Sequence, residues 1–324
     1  MIPLPRGLSV ATGLVASHQD VPHFLGQLAQ RQFTGYARFV FGASEVLLVF
    51  TGGKLTTVLA TRGEARLTGL EAIAELCQRV AVEAGTIDVY QLGPELAARV
   101  SGVLQGEYHV RAQELKSVEV TALVAKIKAR KLNGCVAIYT PQRCSLVFYR
   151  DGVGFGFFHD GSQAIETGAT DSQKIAGQPG AKMDVMSTRP LEQLPATDFL
   201  EVVNVQKVWE AAVRANQARA DELRATARAA ERQRQESKLT ELAEALHVIA
   251  AKTLGPMGRQ MMTKELAARG GPGFLLHPDQ VAEALAALEK GARLVAGPSK
   301  LKELTTQLKA EIDRQLAPPQ SPLP

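Results

Sequence analysis

The feature that most constrains this chain is a pattern that occurs twice. The stretch Phe33–Leu55, FTGYARFVFGASEVLLVFTGGKL, returns without a gap 99 positions later as LNGCVAIYTPQRCSLVFYRDGVG, Leu132–Gly154. Gly35 falls on Gly134, Leu47 on Leu146 and Gly53 on Gly152, and the run Leu47–Phe50 falls on Leu146–Tyr149. Few residues are identical, but the apolar and glycine positions agree. Each copy reads as two strands, in the first Tyr36–Phe41 and Val46–Phe50, joined by a turn and closed by glycine. The preceding segments agree as well. Val21, Phe24, Leu25 and Leu28 match Val120, Leu123, Val124 and Ile127, at the offsets 0, +3, +4 and +7 of one amphipathic helix face. A chain holding two such units folds as two copies of one helix-and-hairpin module.

The first copy continues as a third strand over Thr56–Thr61, a turn at Arg62-Gly63-Glu64, a helix from Gly69 to about Val82, and a closing strand over Thr86–Leu92. Asp20 is placed to cap the first helix, which runs to Gln32. The eighteen residues before it read as a lead-in. The second copy offers Phe155–His159 as its third strand and answers IDVYQ (87–91) with MDVMS (183–187). The offset there is 96, and the small, polar residues between predict a shortened helix or an irregular loop.

From Thr197 the character changes. No glycine or proline occurs from Asp198 to Leu254. Val202, Val205, Trp209, Ala212 and Val213 mix spacings of three and four, so Val202–Val213 is expected to pack on the second repeat or on a second chain, making a homodimer. Residues 214–238 carry seven basic and four acidic side chains with almost no large apolar one. That composition favours a helix without giving it a core to join, so an exposed, semi-rigid helical connector is predicted. Leu239, Leu242, Leu246 and Ile249 open a small helical domain. Its helices are broken at Gly255-Pro256, at Gly270-Gly271-Pro272-Gly273 and at Gly297-Pro298, and Met257, Met261 and Met262 are expected in its core. The fold class is thus α+β: two tandem α/β repeats, then a long helix and an all-α domain. The segments are 1–98 and 99–196 for the repeats, 197–238 for the connector, 239–316 for the helical domain and 317–324 for a disordered tail.

The chain is 45% hydrophobic and 22% charged, ordinary for a soluble globular protein. No apolar run approaches the roughly 18 residues of a membrane span, and the N-terminus lacks signal-peptide character. Three cysteines, Cys77, Cys135 and Cys144, form neither a CxxC motif nor an even framework, which argues against disulfides and zinc and for a cytoplasmic protein. No P-loop motif is present. The glycines of Gly152–Gly156 lead into a strand rather than a helix, so they belong to a hairpin and not to a dinucleotide loop. His159-Asp160 reads as a strand end passing into an Asp-Gly turn. The expectation is a protein with no catalytic residues, no cofactor and no metal.

Two groups of charge rise above that background. Lys126, Lys128, Arg130 and Lys131 gather at the end of the second copy's first helix, where the first copy has only Arg31. Cations are favoured at a helix C-terminus, and a docking patch for an acidic partner is the functional alternative. The second group is the Arg-rich connector, with Arg228 and Arg232 as candidate partner-binding residues and Arg228 expected to pair with Glu231. Interleaved acids argue against a nucleic-acid arm. A nucleic-acid-associated protein using Lys126–Lys131 and this helix remains the alternative reading, and a ligand held between the repeats is a third.

The pieces Phe33-Thr34-Gly35, Leu47–Phe50, Gly52-Gly53, Gly69–Cys77 and Gly85–Val89 resemble the PATAN-type domains of bacterial signalling proteins. The resemblance spans about 20–92 and, more loosely, 119–187. The segment Leu254–Gly258 is similar to the Gly-Pro helical tails of some bacterial kinases and cyclases. The resemblance implies a non-catalytic signalling scaffold or adaptor whose partners are receiver domains, small GTPases or pilus and motility regulators.

Overall fold

The computed structural model describes residues 2–63, 65–188, 197–293 and 295–316. It divides into two compact units, residues 1–219 and 220–324. The first unit is built on two antiparallel sheets. The strands of the first sheet are β1 (Leu8–Val15), β2 (Gly35–Phe41), β3 (Ser44–Thr51), β4 (Lys54–Arg62), β5 (Ala65–Thr68) and β6 (Thr86–Gln91). Those of the second are β7 (Tyr108–Glu114), β8 (Gly134–Tyr139), β9 (Cys144–Arg150), β10 (Val153–His159) and β11 (Lys182–Ser187). Their orders are β1-β6-β2-β3-β4-β5 and β7-β11-β8-β9-β10. Apart from the extra edge strand β5, the two are the same sheet.

The equivalence holds residue by residue. Gly35 pairs with Phe50 and Gly134 with Tyr149, and every intervening pair of the two hairpins keeps the same offset. Gly35 also pairs with Gln91 and Gly134 with Ser187, at the offset of 96. The glycines are fixed by what surrounds them. A Cβ on Gly35 would stand 2.1 Å from the Tyr90 carbonyl oxygen, and one on Gly134 would stand 2.1 Å from that of Met186. At the hairpin ends Gly53 and Gly152 adopt φ of +82° and +79°. Their amides donate to the Phe33 and Leu132 carbonyls, at 2.9 and 3.0 Å.

The module begins earlier than its helix-and-hairpin pattern indicates. The supposed lead-in contains β1, which lies against β6, and Ile2 and Leu4 are buried. β7 repeats it against β11. Both strands carry the same irregularity. Gly13 and Ala112 have φ of +67° and +52°, and their amides donate to the Asp88 and Asp184 carboxylates, at 2.9 and 2.6 Å. These strands escape periodicity because an irregular, largely exposed edge has no alternating apolar pattern to show.

Helix α1 (Val21–Gln30), capped by Asp20 accepting from the His23 amide, and α2 (Gly69–Val82) cover the outer face of the first sheet. Helix α3 (Pro94–Leu104) was not indicated by the repeat pattern. It packs among Leu47, Val49 and Leu59 on the inner face, in a core shared with Cys135, Leu146, Phe148 and Phe158 of the second sheet. Both faces of the first sheet are therefore buried, which is why Leu47–Phe50 is a continuous apolar run rather than an alternating one. On the outer face of the second sheet lie α4 (Val120–Ala129) and the short α5 (Thr170–Ala176). The short helix and the irregular stretch anticipated between β10 and β11 are both present.

Beyond β11 come a single turn, α6 (Phe199–Val202), and α7 (Val205–Leu254), 50 residues long. The apolar face of this region packs on the first repeat. Val205 and Ala212 join the core formed by α1, α2 and the outer face of the first sheet, with Phe199, Leu200, Val203, Val208 and Trp209 against it. The Asn216 side chain donates to the Ala81 carbonyl at 2.6 Å. The expectation that Val202–Val213 rests on the second repeat or on another chain is corrected accordingly, and the argument for a homodimer built on that face goes with it. α7 also continues through Lys238 and Leu239 without a break, so connector and first tail helix are one element.

The second unit takes the end of α7 together with α8 (Pro256–Ala268), α9 (Pro278–Ala292) and α10 (Pro298–Leu316). Gly255, at φ +68°, ends α7, and Pro256 occupies the first turn of α8. Leu242, Leu246, Met262, Leu288, Leu304 and Leu308 form its core. Met257, expected in that core, is 47% exposed. The expected disordered tail, 317–324, lies outside the described residues.

Candidate functional site

The fold collects Lys126, Lys128, Arg130 and Lys131 on the last turn and C-cap of α4, all exposed. None has an ion-pair partner among the described residues. The tight turn that presents them is required by the repeat itself. Lys131 sits at φ +48°, as Gln32 does at +52° in the first copy, and Gly152 packs against the Lys128 backbone. The charges therefore stand at the open end of a helix, where its carbonyls favour them, on a backbone held from below by the hairpin.

On α7, residues 221–238 are all exposed. Arg214 pairs with Glu210 at 3.9 Å and Arg224 with Asp221 at 3.2 Å. Arg228, Arg232 and Arg234 form no ion pair among the described residues, so the expected pairing of Arg228 with Glu231 is not found. Exposed pairs three residues apart contribute only about 0.2–0.5 kcal/mol. That is little to offset the loss of rotamer freedom in two long side chains.

The structure also assembles a polar chain that sequence reasoning missed. His159, at the end of β10, places Nδ1 3.2 Å from Glu166 Oε2 and Nε2 3.0 Å from Ser172 Oγ. Ser172 in turn meets Ser145 Oγ at 2.7 Å, and the Ser162 hydroxyl donates to the other Glu166 oxygen. The Ser162 hydrogen bond, the largest influence, outweighs the opposing effect of burial and, with a weaker contribution from His159, holds the Glu166 carboxyl below its usual range. Carboxylate, imidazole and hydroxyl are thus connected in the order a nucleophilic hydrolase uses. A nucleophile must present its oxygen to a carbonyl carbon. Ser172 Oγ is instead bracketed by two partners, and both Ser172 and His159 are buried, 5% and 3% exposed. The arrangement clamps α5 and the loop before it onto the second sheet. No spacing announces it, since its members come from β9, β10, a loop and α5.

The three cysteines are free and buried. Burial pushes the Cys77 thiol up to about 12 and raises those of Cys135 and Cys144 as well, so all three stay protonated and unreactive. Among the described residues no group of three or more His, Cys, Asp or Glu side chains could hold a metal ion, and no helix is long and apolar enough to cross a membrane.

The model of a family described as an uncharacterized protein conserved in archaea covers residues 2–101, a span that takes in the whole first module and most of α3. This overturns the resemblance to PATAN-type bacterial domains. The bacterial and motility assignments fall with it, and the receiver-domain, small-GTPase and pilus partners lose their support. No curated protein matches the chain, and no solved structure does.

Proposed function

We propose that this chain is a non-catalytic intracellular adaptor that engages other proteins through its two units. The observation that carries this reading is the middle of α7. Eighteen consecutive helical residues, 221–238, are exposed on every side in α7, the helix within which the two units divide. A helix that is polar all round and contributes to no core serves to join folded parts. The duplicated module supports the reading, because its inner faces are consumed by the shared core while α4 and its basic turn are left outward. Three buried free thiols suit a reducing compartment.

A second reading, association with nucleic acid, draws on Arg228, Arg232 and Arg234, which form no ion pair among the described residues, and on the exposed Lys126–Lys131 turn. One experiment separates the two. Crosslinking of the full chain in its native cells, read by mass spectrometry, is expected to join each unit reproducibly to protein partners. Crosslinks to nucleic acid alone, together with retention on DNA that falls steeply with salt, would transfer the assignment to the second reading.

A further inference from the structure

Where the two modules meet, the N-terminal arm and the β8–β9 turn enclose a cleft of about 310 Å³, within the size range of small-ligand sites. Ile2, Leu4, Tyr139 and Pro141 supply apolar wall, and Arg6, Arg38, Arg143 and Lys182 line it against a single acid, Asp160. The floor is fixed. Ile2 and Leu4 are buried, the Tyr36 hydroxyl donates to the Pro5 carbonyl at 2.7 Å, and the Gly161 amide donates to the Arg6 carbonyl at 2.7 Å. The acid is occupied, with its two oxygens accepting from the Arg6 and Cys144 amides at 2.9 and 3.3 Å. Of the cations, Arg38 is held by the buried Glu45 at 2.8 Å, and Arg143 is loosely matched to Asp171 at 3.7 Å. Arg6 and Lys182 are exposed and form no ion pair among the described residues.

The duplication shows that these charges are not demanded by the fold. At the equivalent positions of the other copy Arg6 is Gln105, Arg38 is Ala137, Arg143 is Ser44 and Lys182 is Thr86. The same backbone is thus built without any of the four, and the divergence of the copies has gathered positive charge around one cleft. We propose that this cleft binds a small organic anion, its phosphate or carboxylate head between Arg6, Arg143 and Lys182 and its apolar body against Ile2, Tyr139 and Pro141. Two guanidinium groups and an ammonium at the rim suit an oxyanion. The proposal stands independently of the adaptor reading.

The test titrates the full-length protein with phenyl phosphate and with benzoate, probes of one body and two heads, followed by ligand-observed NMR. Saturable binding of at least one, with a dissociation constant on the order of 1 mM or tighter, is expected, and the preferred probe identifies the head group. The variant Arg6→Ala/Lys182→Ala should weaken that binding at least about tenfold with an unchanged melting temperature, since both side chains are exposed. Absence of saturable binding by either probe, or equal binding by the double variant, overturns the proposal.

Discussion

At the scale of single residues, the duplication supplies its own controls. Gly13 and Ala112 occupy the same left-handed position and donate to equivalent carboxylates, yet only one is glycine. A Cβ at Gly13 would meet nothing within 4 Å, so Gly13→Ala carries only the backbone strain that Ala112 already bears. Gly35 differs, because a methyl group there would be driven into the Tyr90 carbonyl. Urea unfolding should show Gly13→Ala losing about 1 kcal/mol and Gly35→Ala losing about 2–4 kcal/mol. Equal losses would mean that the Gly35 approach is not what fixes the residue.

At the scale of elements, α7 changes its support along its length. Its first two turns are tied down by Val205, Trp209 and Ala212, and the stretch leading to its C-terminus by Leu239, Leu242, Leu246 and Ala250. Between them, 221–238 has helix propensity and, among the described residues, one close ion pair, Arg224 with Asp221. Isolated helices of such length are marginal in water, and exposed hydrogen bonds open readily. Hydrogen exchange should therefore find the amides of 221–238 exchanging at least about tenfold faster than those of 242–250. Uniform protection through 205–254 would show that the middle of the helix is covered in solution.

At the scale of the whole molecule, the cores decide which parts unfold together. The two modules share the core that contains Phe148, Leu47 and α3, whereas Leu242 belongs to a separate core in the second unit. Trp209, the chain's one tryptophan, lies against the first module and reports on it. Phe148→Ala removes a large side chain from the opposite sheet, at a cost of about 3–5 kcal/mol, and should lower the Trp209 fluorescence transition. Leu242→Ala should leave that transition in place while lowering the helical signal of the second unit. A Trp209 transition that ignores Phe148→Ala would show that the modules unfold separately.

What the sequence determined by itself is what local pattern encodes. The 99-residue repeat, the hairpins, the Asp20 cap and the Gly255-Pro256 break were all legible, because turn glycines and the two apolar periods are local chemistry. Tertiary structure alone decided the rest. β1 and β7 are strands because β6 and β11 lie beside them, not because of their own alternation. Val205 and Trp209 chose the first repeat over the second, a choice one amphipathic face cannot make. The His159–Ser172 chain and the cleft around Arg6 and Lys182 unite residues more than a hundred positions apart or spread over four elements. The first forms only once α5 and its loop have folded back onto the second sheet, and the second only once the N-terminal arm has packed beside the β8–β9 turn.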